Sequence, residues 1–256
     1  MLASADTLYL GGAFNSLGAQ ARARIGAVSL STGATLAFNP GTAGTGNLVR
    51  TLVLNGNTLY VGGEFTSIGG KPRNRLAALD TTLNTANATD WNPNALDDVQ
   101  CIAINGDKIY VGGNFTTVGS VARGRIALLA ANSNQAVAGW NPEANGAVNQ
   151  ILPTPDGLYV AGSFTAVGGA TRANLAEVNT SESTVTPTWN PAPNSSVWCP
   201  GLLGTNLYAG GAFTIIGGSN RVGLAAVSTR GTGRATSLLP RTDNDVHADR
   251  KSTRLN

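Results

Sequence analysis

The chain has 256 residues, 42% of them hydrophobic, and a formal net charge of +3. That length allows a well-buried core, yet no apolar run is long enough to cross a bilayer as a helix. Charged residues make up only 12%, well under the usual quarter, so a basic nucleic-acid-binding face is not expected.

The first ten residues, MLASADTLYL, lack the basic start of a signal peptide and carry Asp6. From Leu8 the chain reads LYLGGAFNSLG. The second unit is the clearest. VRTLVL is followed by Asn55-Gly56-Asn57, then TLYVGGEF, a glycine-containing loop, RLAALD and ATDWNP. Two β-patterned runs joined by Asn-Gly-Asn predict a hairpin. The third unit repeats it with Asn105-Gly106-Asp107 and the fourth with Pro155-Asp156-Gly157. RLAALD returns as RIALLA, NLAEVN and GLAAVS, and three units close on Trp91-Asn92-Pro93, Trp140-Asn141-Pro142 and Trp189-Asn190-Pro191. Phe38 and Leu238 fill the tryptophan position in the outer units. No stretch carries a helical period with caps.

The glycine-rich stretch Leu59–Gly70, followed by Lys71, fits a phosphate loop poorly. Phe65 stands at the first glycine position and Pro72 replaces the Ser or Thr that must follow the lysine. The stretch also recurs. All five tyrosines, Tyr9, Tyr60, Tyr110, Tyr159 and Tyr208, are spaced 51, 50, 49 and 49 apart. Phe14, Phe65, Phe115, Phe164 and Phe213 each stand five residues later. A segment that repeats in phase is architecture.

Repeats of about 40–50 residues, each a meander of four short strands, are the signature of a β-propeller. The expected fold class is therefore all-β, a β-propeller of four-stranded blades with five repeats visible. The Gly-Gly pair lets the second strand pass close to its neighbour. Tyr and Phe pack between sheets, tryptophan covers the rim, and the following proline ends the outer strand. Cys101 and Cys199 share a repeat phase two units apart and are expected as two buried thiols, too distant for a disulfide.

The pattern [LI]-Y-x-G-G with a late tryptophan resembles the kelch-like blade. The added F-T-x-x-G-G-x-x-R is closer to the delta-60 repeat, a blade of many bacterial surface and secreted proteins. The resemblance runs from Leu8 to Val246, with Ala161 replacing one glycine of its pair. It implies a fold, and only weakly a function.

Val49, Val99, Val148, Val197 and Val246 open successive first strands. Met1 aligns with Leu52, and the apolar run expected after Val246 is replaced by HADRKSTRLN. We therefore expect a propeller over residues 1–248, truncated at both ends with a partial sixth unit. Residues 249–256, DRKSTRLN, resemble a translated sequencing adapter and are expected to be non-native. Without them, 14 basic residues face 13 acidic ones. Five units allow either a closed five-bladed ring or an arc of a larger one.

A residue that repeats is more simply explained by packing than by chemistry. Arg22, Arg73, Arg123, Arg172 and Arg221 occur in every unit and are read as structural guanidinium groups bonded to loop carbonyls. Arg24, Arg75 and Arg125, which become Asn174 and Gly223, are read as surface positions. Carboxylates that do not repeat are few, and among them Asp97, Asp98 and Glu143 stand in loops on the expected ligand face. They are the ligand-binding candidates, and also the acids a glycosidase would need. No catalytic residue, cofactor or metal site is assigned. Asp243-Asn244-Asp245 lacks the glycine and distal glutamate of a calcium loop, and His247 is the single histidine. The expected protein is a monomeric, non-catalytic secreted or cell-surface module that binds protein or polysaccharide. The alternative is the propeller part of an extracellular carbohydrate-active enzyme.

Overall fold

In a computed structural model, the structure describes residues 1–44, 46–239 and 242–247. The expectation about Asp249–Asn256 lies outside them. Every regular element among the described residues is a β-strand. Five antiparallel sheets follow one another along the chain, each with its strands in sequence order. Blade 1 is Leu2–Ser4, Thr7–Gly11 and Ile25–Ser29. Blade 2 is Val49–Asn55, Thr58–Gly63 and Leu76–Asp80, and blade 3 is Val99–Asn105, Lys108–Gly113 and Ile126–Ala130. Blade 4 is Ala147–Pro153, Leu158–Ser163 and Leu175–Val178, and blade 5 is Val197–Leu203, Asn206–Gly211 and Leu224–Ser228.

The fourth segment of each unit pairs with the third strand through a single bridge, such as Leu79 to Ala88 or Leu129 to Ala136. The tryptophan beyond that bridge does not lie over an outer rim. Trp91, Trp140 and Trp189 are only 6%, 2% and 1% exposed. Each indole donates across to the end of the third strand of the following blade or the residue just after it, at Ala130 O (2.9 Å), Asn179 O (3.2 Å) and Ser228 O (2.9 Å). Each ring also meets the repeat tyrosine of its own blade at centroid distances of 5.0–5.4 Å. The tryptophan is drawn inward because burying its apolar area beside a free carbonyl satisfies both the ring and its N–H.

The core is a series of layers between consecutive blades. Between blades 2 and 3, Tyr60, Leu76 and Trp91 meet Val99, Ile102 and Phe115. Both faces of each inner sheet are covered, so Leu59, Tyr60 and Val61 are buried in succession rather than alternately. Gly62 belongs to this packing. A Cβ there would come within 2.6 Å of the Val99 side chain of the next blade, and one on Gly63 would run into the backbone carbonyl of Leu48 at the entry to the paired strand, so the pair makes both close approaches. The blades at the two ends of the series are less covered. Phe14, Tyr208 and Leu238 are partly or largely exposed, whereas Phe65, Phe115 and Tyr110 are fully buried.

The segment between the second and third strands is itself a small hairpin, Ser67–Ile68 with Lys71–Pro72 in blade 2. Gly69 and Gly70 connect its strands at φ of +60° and +79°, the pattern of a type I′ turn. The second Gly-Gly pair of the repeat therefore serves a turn, and the first pair serves packing. Cys101 is buried between blades 3 and 4. Cys199 is only partly buried, against Val246 O.

Candidate functional site

The first strands of blades 3, 4 and 5 are each entered through a loop that follows Trp-Asn-Pro, and that of blade 2 through one that follows Phe38-Asn39-Pro40. These loops bond the small hairpin of their own blade, through Leu96 N to Thr117 O (3.1 Å), Asn145 N to Ala166 O (3.1 Å) and Asn194 N to Ile215 O (3.0 Å). They also reach back to the preceding blade, through Ala95 N to Asn74 O (3.2 Å) and Ala144 N to Gly124 O (2.8 Å). Loop and hairpin thus form one rim, and the rim is where side chains depart from the repeat.

Asp97 and Asp98 lie on this rim between blades 2 and 3. The Asp98 N–H donates to the Asp97 carboxylate at 2.7 Å, and Asp98 O accepts from Asn114 N at 2.9 Å. Asp97 is exposed and Asp98 partly buried. Asp98 Oδ1 lies 3.8 Å from Arg75 Nε, and Arg50 is ion-paired with Glu64. Burial pushes the Asp98 carboxyl up from the ordinary aspartate range. The nearby charges of Glu64 and Asp97 add to that, and Arg50 and Arg75 oppose it. Sequence reasoning missed Glu64. The signal was present: the residue after the first glycine pair reads Ala13, Glu64, Asn114, Ser163 and Ala212, with one acid among them.

Glu143 lies one junction further on, in a cleft of about 470 Å³ between blades 3 and 4. The cleft is lined by Thr116, Arg123, Gly124, Arg125 and Asn145 as well as Glu143, and by neither Asp97 nor Asp98. The candidate acids are therefore divided between two junctions. Glu143 adopts φ of +41°, and its carboxylate accepts from Asn141 Nδ2 at 3.0 Å. Gly124 packs closely against the loop of blade 4, where a Cβ would stand 3.2 Å from Ala144 O. A guanidinium, a carboxylate and an amide in one open cleft suit a polar ligand.

The repeated arginines have their hydrogen bonds directed inward. Arg22, Arg73, Arg123, Arg172 and Arg221 each donate from Nη1 to the preceding residue's carbonyl. From Nη2 they donate to the fourth segment, at Leu36 O, Thr89 O, Val137 O, Thr186 O with Pro187 O, and Thr236 O. The second arginine series is not simply surface. Arg24, Arg75 and Arg125 hold φ of +67°, +62° and +64°, and they reach the next blade, as in Arg24 Nε to Asn47 O at 2.6 Å. Within Asp243-Asn244-Asp245, the Asp245 N–H donates to Asn244 Oδ1 at 2.8 Å. Among the described residues no group of three or more His, Cys, Asp or Glu is arranged so that it could hold a metal ion.

Trp198 was also missed. It is the one tryptophan out of repeat phase, standing where other units have Arg50, Gln100 and Asn149. It is partly exposed, and its ring stacks on His247 at a centroid distance of 3.8 Å and an interplanar angle of 11°.

Residues 57–82, 107–135 and 154–183 match a domain of unknown function, DUF5122, described as a beta-propeller. These segments fall in blades 2, 3 and 4. No curated protein matches the chain. Among solved structures, a chain of the Mitotic Checkpoint Complex is 13% identical with a TM-score of 0.57, over 86% of this chain and 61% of that one. The computationally designed Ika8 protein is 10% identical with a TM-score of 0.50, over 86% of this chain and 59% of its own. The chain thus spans about three fifths of the length of these structures. At such identities the likeness concerns the fold alone. Together with five in-phase antiparallel sheets and the layers between them, it identifies the chain as a β-propeller repeat protein.

Proposed function

We propose that the protein is a non-catalytic, secreted or cell-surface propeller of the delta-60, kelch-like type, serving as a binding or scaffold module for protein or polysaccharide. The observation that carries this reading is the division of labour on the rim. Repeated polar residues are turned inward to carbonyls, while the non-repeating ones, Asp97, Asp98 and Glu143, are spread over two junctions. A spread of varied polar groups on a rigid frame suits recognition better than acid–base chemistry. The low charge content accords with an extracellular monomer that needs no cofactor and binds no nucleic acid.

A second reading is favoured by one feature, the raised Asp98 carboxyl beside Glu64, which is how a general acid is prepared for glycoside hydrolysis. One experiment separates the two. The protein is incubated with soluble polysaccharides and extracellular-matrix proteins, and retention and release of reducing ends are both measured. The binding reading expects retention without release, with Asp98→Asn unchanged. Release of reducing ends that Asp98→Asn abolishes replaces it with the enzyme.

A further inference from the structure

The first strands form the inner edge of the blade series, where those of blades 2 and 3, 3 and 4, and 4 and 5 pack on one another. In blades 2 to 5 each carries a bulge at the same place. Pairing passes from Val49 to Thr51, Val99 to Cys101, Val148 to Gln150 and Val197 to Cys199. The residues left out of the ladder are Arg50, Gln100, Asn149 and Trp198, and His247 follows Val246 in the same phase. A bulge takes a side chain out of strand alternation and re-aims it, which is why bulges accumulate near binding sites.

The contrast with the preceding residue is informative. That position is valine in all these units, and Val49, Val99, Val148 and Val197 are 3% exposed or less. The bulge position next to it holds four different side chains, and with His247 in the same phase all five are planar, polar or aromatic, and at least partly exposed. A packing position would repeat as the valine does. Two of the bulge residues also reach the unit that follows: Asn149 Nδ2 donates to the backbone carbonyl of Val197 at 3.2 Å, and Trp198 stacks on His247.

We propose that this inner rim is a binding strip for a neutral polysaccharide, with Trp198 as the stacking platform and Asn149 and Gln100 as partners for sugar hydroxyls. The proposal rests on the binding-module reading and names its ligand class. A pyranose ring offers an apolar C–H face, which an indole covers, and hydroxyls, which an amide meets as both donor and acceptor. From Gln100 to Trp198 the strip carries no charge. The Arg50 guanidinium at its far end is taken up by Glu64.

The test is affinity electrophoresis and calorimetry of the full chain with xyloglucan, mannan, laminarin and pullulan as neutral probes, and alginate and polygalacturonate as acidic ones. We expect retention by a neutral glycan that 0.5 M salt leaves unchanged. Trp198→Ala should weaken binding by about tenfold or more, and Trp198→Phe should recover part of it. Asn149→Ala should weaken binding more mildly and carries the test if Trp198→Ala proves unfolded by circular dichroism. Unchanged affinity in Trp198→Ala or in Asn149→Ala overturns the rim and leaves the binding-module reading standing. No retention by any of the six glycans overturns the rim and the polysaccharide half of that reading together. Retention of acidic glycans alone, lost with salt, overturns the neutral strip.

Discussion

The junction between blades 2 and 3 and the junction between blades 4 and 5 are the same structure carrying different chemistry. In the first, four equivalent positions hold Arg50, Glu64, Arg75 and Asp98; in the second they hold Asn149, Ser163, Asn174 and Ser196. The first junction is closed by charges, Arg50 on Glu64 and Arg75 near Asp98. The second is closed by neutral hydrogen bonds, Ser163 Oγ with Ser196 Oγ at 2.7 Å and Asn174 Nδ2 to Pro193 O at 3.0 Å. Beneath both lie the same tyrosine–tryptophan pair and the same indole-to-carbonyl bond. The frame is indifferent to what stands on its rim, which leaves the rim free to be specialised.

That separation of frame and rim is breakable. The largest effect should come from Trp140→Ala, which empties a buried layer between blades 3 and 4 and orphans Asn179 O. It should cost about 3–5 kcal/mol in urea unfolding, whereas Trp198→Ala should cost under about 1 kcal/mol. Equal losses would mean that Trp198 belongs to the frame.

A smaller effect, comparing blades 3 and 4, should follow Gly112→Ala. The new Cβ would lie 2.5 Å from Val148 Cγ1 and 2.7 Å from Cys101 Sγ, an overpacking of about 1–3 kcal/mol. Blade 4 already has Ala161 at this position, paired with Gln150 in the same bulged register. Ala161→Gly should therefore change the unfolding midpoint less than Gly112→Ala does. A neutral Gly112→Ala would show that the blades adjust their spacing freely.

The smallest effect concerns the charged junction alone. Because the Asp98 carboxyl titrates higher in the folded protein than in the unfolded chain, its ionisation weighs against folding as pH rises through that interval. Asp98→Asn should raise the melting temperature at neutral pH. The gain should vanish as pH falls below the ordinary aspartate value of about 4. Ser163→Ala, in the neutral junction, should show no such pH dependence. A gain for Asp98→Asn that persists in acid would locate its cause outside the charge cluster.

Much of the fold was legible because it was written five times. Spacing alone placed Tyr60, Phe65, Arg73 and Trp91 on one unit and assigned them to architecture. The direction in which a side chain points was less legible. Trp91 reads as a rim cover because it follows the last β-run and precedes a proline, yet its indole faces a carbonyl 39 residues away. Arg75 reads as surface because its position varies, yet it reaches across to Asp98. Glu64 and Trp198 were readable as breaks in the repeat. That they would meet Asp98 and His247 was not readable, since those residues come from the following unit.

Period, strand content and the identity of the repeated core follow from local pattern, because a sheet that must bury both faces needs the same residues in each copy. Only the tertiary structure decided which variable residues stand together. It did so through the spacing between blades and through bulges that turn one side chain per first strand out of the ladder. Neither depends on the local sequence alone: a bulge becomes visible only when two strands are paired, and a junction only when two blades are packed.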